Sequence, residues 1–289
     1  MTRTTTRLRE LIRAPEILVA PGAFSPLPAL LIQQAGFDAV YMTGYGTVAN
    51  LLGQPDVGMV TMSEMVSNVR NIAARVAIPL IADADTGYGN ALNVQRTVRE
   101  YERAGAAGLH IEDQQWPKKC GHMEGKRLIP AEEMVGKIRA ALDARQDPDF
   151  AIIARTDANI VLGFEETIRR AEMYARAGAD LIFVDSPTSR EELAQIPKRI
   201  PAPVMANMTE GGRTPTLSNR ELQELGFALV IWPVSSVWTA TKAIQTLCQE
   251  LREQGTTAGM ADQMLSFQEF NELIGLPEVY DRETRYSAP

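Results

Sequence analysis

Five consecutive residues, Lys118-Lys119-Cys120-Gly121-His122, bring two ammonium groups, a thiol and an imidazole together. Positive charge stabilises a thiolate, so a cysteine in this company exchanges its proton near neutral pH. An acid/base catalyst needs that property. Gly121, and Gly125 in the following Met123-Glu124-Gly125-Lys126, suit a mobile loop better than a helix interior. The segment follows the acidic run His110-Ile111-Glu112-Asp113, and it reads as a catalytic lid over residues 115–129. A lone histidine is more often structural, but beside Cys120 on a polar loop His122 reads as functional.

Asp83, Asp85 and Glu112 form a second grouping. Asp83 and Asp85 are two residues apart, so on an extended strand end they face the same side. Carboxylates that meet without basic partners repel one another unless a cation joins them. Hard oxygen donors with room for waters suit Mg²⁺ or Mn²⁺. Asp56, in a Gly-Gln-Pro-Asp turn, adds to the set. The same aspartates also fit helix caps or partners for nearby arginines. Arg155 has the fork geometry to hold a carboxylate bidentately, or to pair with Asp157 or Asp185. Thr43-Gly44-Tyr45-Gly46 offers backbone N–H groups to an anion, or makes a simple turn.

These groups need a scaffold. Eight short apolar runs recur, at 17–20, 38–42, 79–82, 107–111, 151–155, 180–184, 203–206 and 227–231. Continuous apolar runs of this length fit parallel strands buried on both faces. Helical patterns lie between them, at 26–35, 63–76, 91–104, 131–145, 165–177, 188–196 and 218–225, after a short lead-in helix through Arg13. Four helices end in a small residue or leucine plus glycine, at Gly36, Gly105, Gly178 and Gly226, where a left-handed C′ residue is expected. Pro21-Gly22 is expected to close the first strand. A helix at 235–253, another at 263–275 and a polar tail at 277–289 complete the chain.

Eight strand–helix units predict an α/β fold, a closed (β/α)₈ barrel in one domain over 1–289 with a helical extension at 255–289. A Rossmann-like sheet ranks second, because no Gly-x-Gly-x-x-Gly follows the first strand. A barrel builds its site at the C-terminal ends of its strands. Those ends carry Thr43, Asp83, Asp85, Glu112, Arg155, Asp185, Asn207 and Thr209.

Bulk properties agree. The 289 residues carry a net charge of −7, which argues against a nucleic-acid partner. No apolar run is long enough to span a bilayer. The first residues lack a signal peptide's apolar core, and the two cysteines form no Cys-x-x-Cys pattern, so a cytoplasmic protein is expected. Cys248, in an amphipathic pattern, reads as a buried packing residue.

The lid motif resembles the signature of the isocitrate lyase/phosphoenolpyruvate mutase superfamily. Pro21-Gly22, Tyr41-Met42-Thr43-Gly44, Gln54-Pro55-Asp56, Ala82 to Gly89, His110 to Gln114 and Asn207 to Glu210 fit in the same order. The resemblance implies a (β/α)₈ barrel whose last helices are swapped between subunits, usually in a homotetramer, with a Mg²⁺ site and a gating loop. By that resemblance Asp83 is the direct metal ligand, and Asp56, Asp85 and Glu112 hold its waters. Thr43, Gly44, Tyr45 and Arg155 bind the 2-oxo or 2-hydroxy carboxylate end of a small-molecule substrate. Asn207 and Thr209, with Gly121 and His122, hold the distal carboxylate. Cys120 is the general acid, supported by Lys118, and Tyr41 is a candidate base. Asp185 stands in the pocket where the lyases commonly have glutamate.

The cysteine favours the short-chain lyase branch. Met123 replaces the arginine that usually follows Cys-Gly-His in methylisocitrate lyases, and Thr43-Gly44-Tyr45 replaces their Ser-Gly-Gly. One fewer arginine implies one fewer carboxylate to bind. The expected reaction is therefore cleavage of a 2-hydroxy dicarboxylate of 2,3-dimethylmalate type to pyruvate and propionate. Cleavage of 2-methylisocitrate to pyruvate and succinate is the next reading, then oxaloacetate hydrolysis or phosphonopyruvate processing. A barrel that binds without catalysis is the non-enzyme alternative, and the intact set Asp83, Asp85, Glu112 and Cys120 argues against it.

Overall fold

The computed structural model describes residues 2–121 and 123–287. Eight parallel strands close into a barrel in chain order. They are β1 Leu18–Ala23, β2 Val40–Met42, β3 Leu80–Asp83, β4 Gly108–Glu112, β5 Ala151–Thr156, β6 Leu181–Val184, β7 Val204–Asn207 and β8 Leu229–Trp232. β1 pairs with β8, matching Leu18 with Leu229, and this closes the sheet. The expected (β/α)₈ architecture is therefore present, and each expected strand falls within a few residues of an observed one.

The helices in order are α1 Thr4–Arg13, α2 Pro26–Gln34, α3 Gly44–Leu52, α4 Met62–Ala73, α5 Ala91–Ala104 and α6 Ala131–Ala144. They continue with α7 Ala158–Leu162, α8 Phe164–Arg176, α9 Arg190–Arg199, α10 Asn219–Leu225, α11 Ser235–Gln254, α12 Phe267–Leu273 and α13 Leu276–Tyr286, with a 3₁₀ turn at Ala258–Gln263. The four helix-ending glycines all have positive φ, between 88° and 103°. Asn90 caps α5 in a reciprocal capping box with Asn93, which fixes where the loop after β3 ends.

Two apolar cores follow from strand alternation. The inner one stacks Ala20, Tyr41, Ile81, Ile153, Phe183, Met205 and Ile231 inside the barrel. Leu8 and Ile12, one turn apart on α1, join this core, so the lead-in helix seals the N-terminal end. The outer core, including Met42, Leu109, Ile152 and Ile182, packs strands against helices. The inner-facing residues at the opposite, C-terminal end are polar.

Two local expectations are corrected. Pro21-Gly22 does not end β1. The strand runs on to Ala23, with Gly22 paired to Tyr41, and the glycine serves close packing there, since a side chain at Gly22 would strike the Pro233 backbone. Cys248 is exposed, because α11 buries only Val237.

The chain divides into two compact units between Ser236 and Val237. The second unit contains most of α11, the 3₁₀ turn, α12 and α13. It exposes Phe267, Leu265, Ile244 and Tyr280, and it has a groove of about 640 Å³ lined by Trp238, Ile244, Leu247, Met260 and Met264. Among the described residues no helix is long and apolar enough to cross a membrane.

Candidate active site

Alternation on β4 points His110 and Glu112 into the barrel, and Asp83 lies opposite His110 across the β3–β4 ladder. Glu112 lies opposite Arg155, and Arg155 opposite Phe183. One ring of inward positions thus carries Asp83, His110, Glu112, Arg155 and, one pleat above Phe183, Asp185.

Asp83 and Asp85 do meet, though not by extended alternation. The chain turns after β3, and Asp85 takes a left-handed φ of 48°. Its N–H then donates to Asp83 Oδ1 at 2.9 Å. Tyr88, with a φ of 58°, shares this strained loop. Non-glycine residues in that region cost free energy and cluster at functional sites.

The carboxylates are not without basic partners. Lys118 Nζ, buried, stands 2.7 Å from Asp56 Oδ2 and 2.6 Å from Asp85 Oδ1. Arg155 Nε is 3.3 Å from Glu112 Oε2. Burial and the carboxylates of Asp83 and Asp56 raise the Asp85 carboxyl to about 7 against the opposing pull of Lys118. Burial also raises Asp83, but His110, Lys118 and Arg155 outweigh it and hold that carboxyl below its usual range. Burial pushes Glu112 well up.

Among the described residues no three His, Cys, Asp or Glu side chains form a closed ligand cage. A Mg²⁺ ion does not need one, since it takes one or two carboxylates and keeps several waters. Asp56 Oδ1 and Glu112 Oε1 are buried with no hydrogen-bond partner, which suits carboxylates that hold the waters of an ion at Asp83.

The Thr43-Gly44-Tyr45-Gly46 stretch is the start of α3, not a free turn. Thr43 is its N-cap and accepts from the Gly46 N–H at 3.2 Å. A helix N-terminus with N–H groups facing outward is a ready anion site. A Cβ at Gly44 would collide with Asp83 Oδ2. Gly44→Ala is therefore expected to displace Asp83 and to cut kcat about 100-fold, as small misplacements of reacting groups do. Steady-state kinetics beside a melting curve separates this from unfolding.

Tyr41 Oη is 2.8 Å from His110 Nε2. Burial and Asp83 push the phenol well above its usual value, against Arg155 and Lys118. Burial lowers His110 to about 4, so the imidazole is neutral. His110 Nδ1 is buried without a partner. A bare lone pair costs less than a bare N–H, so the proton belongs on Nε2, facing the Tyr41 oxygen. His110 stood at a strand end in the sequence but had no role; its inward parity with Glu112 was the available clue.

Arg155 is held by Asp157, donating from Nε at 2.8 Å and from Nη2 at 2.9 Å. It also lies 3.4 Å from Asp185 and over the Phe183 ring at 4.9 Å. Asn207 donates to Asp185 Oδ1 at 3.1 Å, and Thr209 donates to Asn207 at 3.1 Å. Behind them Asp113 accepts from Thr156, Arg170 and Tyr174, a buried brace that sequence spacing did not reveal.

The lid leaves the barrel on a short stem, with Gln115 N donating to Arg127 O at 2.7 Å and Ile129 N to Asp113 O at 3.0 Å. Gln114 pins the Lys119 backbone through both ends of its amide. Cys120 N donates to Asp56 O at 3.1 Å. Gly121 has no room for a Cβ, which would meet Asp185 Oδ2 and Arg155 Nη2. The cysteine loop therefore rests on the polar ring. Lys118 serves Asp56 and Asp85 rather than only supporting Cys120. His122 lies outside the described residues.

Residues 8–252 match the family model described as phosphoenolpyruvate phosphomutase. The 2,3-dimethylmalate lyase of Eubacterium barkeri is 51% identical over 284 residues, covering 98% of each chain. The 2-methylisocitrate lyase of Aeropyrum pernix is 46% identical over 280 residues, covering 97% of this chain and 90% of its own. Among solved structures, that of 2,3-dimethylmalate lyase, a PEP mutase/isocitrate lyase superfamily member in its trigonal form, superimposes with a TM-score of 0.94 at 38% identity, covering 100% and 97% of the two chains. Phosphonopyruvate hydrolase in complex with oxalate and Mg²⁺ superimposes at 0.90 with 33% identity, covering 99% of each.

Proposed function

Because this chain belongs to the phosphoenolpyruvate mutase/isocitrate lyase superfamily, we propose that it is a magnesium-dependent carbon–carbon lyase. It cleaves a 2-hydroxy dicarboxylate of 2,3-dimethylmalate type into pyruvate and propionate. The observation that carries this reading is the seating of the Cys120 loop on Arg155 and Asp185, with Gly121, the residue after the cysteine, packed directly against both.

In this reading Asp83 would bind Mg²⁺ directly, and Asp56, Asp85 and Glu112 would hold its waters. The ion would supply positive charge that favours ionisation of the substrate hydroxyl and would offset the Asp83 charge that, after burial, keeps Tyr41 protonated. Thr43, Gly44, Tyr45 and Arg155 orient the C1 carboxylate. Asn207, Thr209 and Asp185, with Gly121 and His122 from the lid, set the distal end. Tyr41, as phenolate stabilised by the His110 Nε2–H, takes the hydroxyl proton. The O–H electron pair becomes the C=O bond of pyruvate, and the C2–C3 pair passes to C3, where the adjacent carboxylate spreads it. Cys120 gives C3 its proton, and the seated lid excludes competing water. Proton return from the Tyr41 side to Cys120 through solvent completes the cycle.

A homo-oligomer, a tetramer with exchanged C-terminal helices, accompanies this proposal. Its support is the apolar groove and the exposed Phe267, Leu265 and Ile244 of the second unit, more apolar surface than a monomer usually leaves in water. A cytoplasmic location fits two cysteines that form no disulfide.

The second reading is 2-methylisocitrate cleavage, favoured by the 46% relative. With Mg²⁺ present, kcat/KM for 2,3-dimethylmalate, 2-methylisocitrate, oxaloacetate and phosphonopyruvate decides among these. Preference for dimethylmalate is expected. Preference for 2-methylisocitrate, with succinate as co-product, would show that Met123 does not mark the loss of a carboxylate. Tight binding of all four without turnover would revive the binding-only barrel.

A further inference from the structure

Resting on the site as read above, we infer that Lys126 is a positioning residue for the reaction, seating the peptide that follows Cys120 on the carboxylate that also holds Arg155. Lys126 Nζ donates to the Gly121 carbonyl at 2.5 Å and to Asp157 Oδ1 at 3.0 Å. It stands 3.9 Å from Asp185 Oδ2, and its side chain is 1% exposed. Asp157 Oδ1 also accepts Arg155 Nη2 at 2.9 Å. One oxygen therefore joins a lid lysine to the strand arginine assigned to the substrate carboxylate.

Asp157 is itself fixed from behind. Its N–H donates to Asp113 Oδ1 at 2.9 Å. Arg170 Nη1 and Tyr174 Oη hold the other oxygen of Asp113 at 3.0 and 2.8 Å. The anchor for the lid is thus a braced part of the barrel wall.

A lysine needed only to neutralise Asp157 would have no use for a main-chain acceptor five residues earlier in its own loop. An ammonium has three donors, and Lys126 gives one to the carbonyl of Gly121. That peptide is caught between the ammonium on one side and Asp185 with Arg155 on the other, where even a Cβ does not fit. In the reaction proposed above, the reach of the Cys120 thiol is set by where this peptide sits. Charge acts in the same direction. Arg155 and Lys126 balance Asp157 and Asp185. Without Lys126, the surplus negative charge grips Arg155 more tightly and makes it less available to substrate.

The test uses the full-length enzyme with Mg²⁺, as Lys126→Met, Lys126→Arg and, as control, Lys198→Met on the exposed face of α9. Iodoacetamide alkylation of Cys120 is followed by peptide mass spectrometry, with exposed Cys248 in the same molecule as internal reference. Lys126→Met is expected to raise the Cys120/Cys248 alkylation ratio several-fold. It is also expected to raise KM and to lower kcat about 100-fold, the usual result of misplacing a reacting group. Lys126→Arg, which keeps the charge but changes the reach, is expected to be intermediate in both, and Lys198→Met to match the unaltered enzyme. If Lys126→Met does not fold, Lys126→Arg carries the comparison. A lower melting temperature with an unchanged alkylation ratio and unchanged kinetics would reduce Lys126 to a structural pair and overturn the proposal. The alkylation ratio needs no turnover, so it still decides the role of Lys126 if no substrate is cleaved and the lyase reading fails.

Discussion

Cys120→Ala is expected to lower kcat for C–C cleavage by about 10³-fold, within the range that a positioned general acid contributes, while KM changes little. The thiol is assigned to one event, protonation of C3, and its removal leaves the carboxylate-binding groups in place. Gly121 still lies against Arg155 and Asp185, and Lys126 still holds the Gly121 carbonyl. Cys120→Ser keeps a hydroxyl in position, but that hydroxyl is a far weaker acid than a thiol and should recover little. Rapid-quench measurement separates the two halves of the reaction. If the carbanion is formed and then waits for a proton, a burst of pyruvate precedes the slowed turnover; if cleavage itself is slowed, no burst appears. A variant that retained full kcat would remove Cys120 from the chemistry and return the lid to a merely covering role.

Asp83→Asn is expected to abolish turnover by weakening metal binding at least 100-fold, since loss of a supporting residue alone commonly costs about 10–100-fold in metal affinity. Asp83 lies against both the N-terminus of α3, at Gly44, and the Tyr41–His110 pair, with His110 Nε2 3.6 Å from Oδ1. Its replacement therefore removes the ligand assigned to the ion and leaves most of the barrel untouched. Titration with Mn²⁺ followed by electron paramagnetic resonance reads the binding without turnover. Chelation of the unaltered enzyme should reproduce the loss of activity and Mg²⁺ should restore it. Unchanged Mn²⁺ binding by Asp83→Asn would move the ion elsewhere in the carboxylate cluster, with Glu112 and its unpartnered Oε1 the next place to look.

The barrel was legible because its strands are buried on both faces and so appear as short apolar runs ended by glycine-marked helix stops. The ring of functional residues was legible for a related reason. Inner positions alternate with outer ones, and the apolar inner residues Ile81, Ile153, Phe183 and Met205 are each followed two residues later by Asp83, Arg155, Asp185 and Asn207. What escaped the sequence was partnership across distance. Nothing in the spacing shows that Lys118 enters between Asp56 and Asp85, which precede it by 62 and 33 residues. The Arg170–Asp113 pair, 57 residues apart, and the Lys126–Asp157 pair, 31 apart, were invisible for the same reason. α3 was missed because Gly44-Tyr45-Gly46 has the composition of a turn, yet the Thr43 cap and the buried side of the helix override that preference. Helix boundaries within the tail were not legible because it is polar, and α13 buries no residue.

The central claim is that this site breaks a carbon–carbon bond and protonates the carbon left behind. Proton nuclear magnetic resonance of 2,3-dimethylmalate incubated with the enzyme and Mg²⁺ in deuterium oxide tests it most directly. The account predicts pyruvate and propionate in equal amounts, the propionate carrying a single deuterium at C2, with both products lost in Cys120→Ser. Unchanged dimethylmalate, beside conversion of oxaloacetate to oxalate and acetate by the same preparation, would contradict it and make the enzyme a hydrolase.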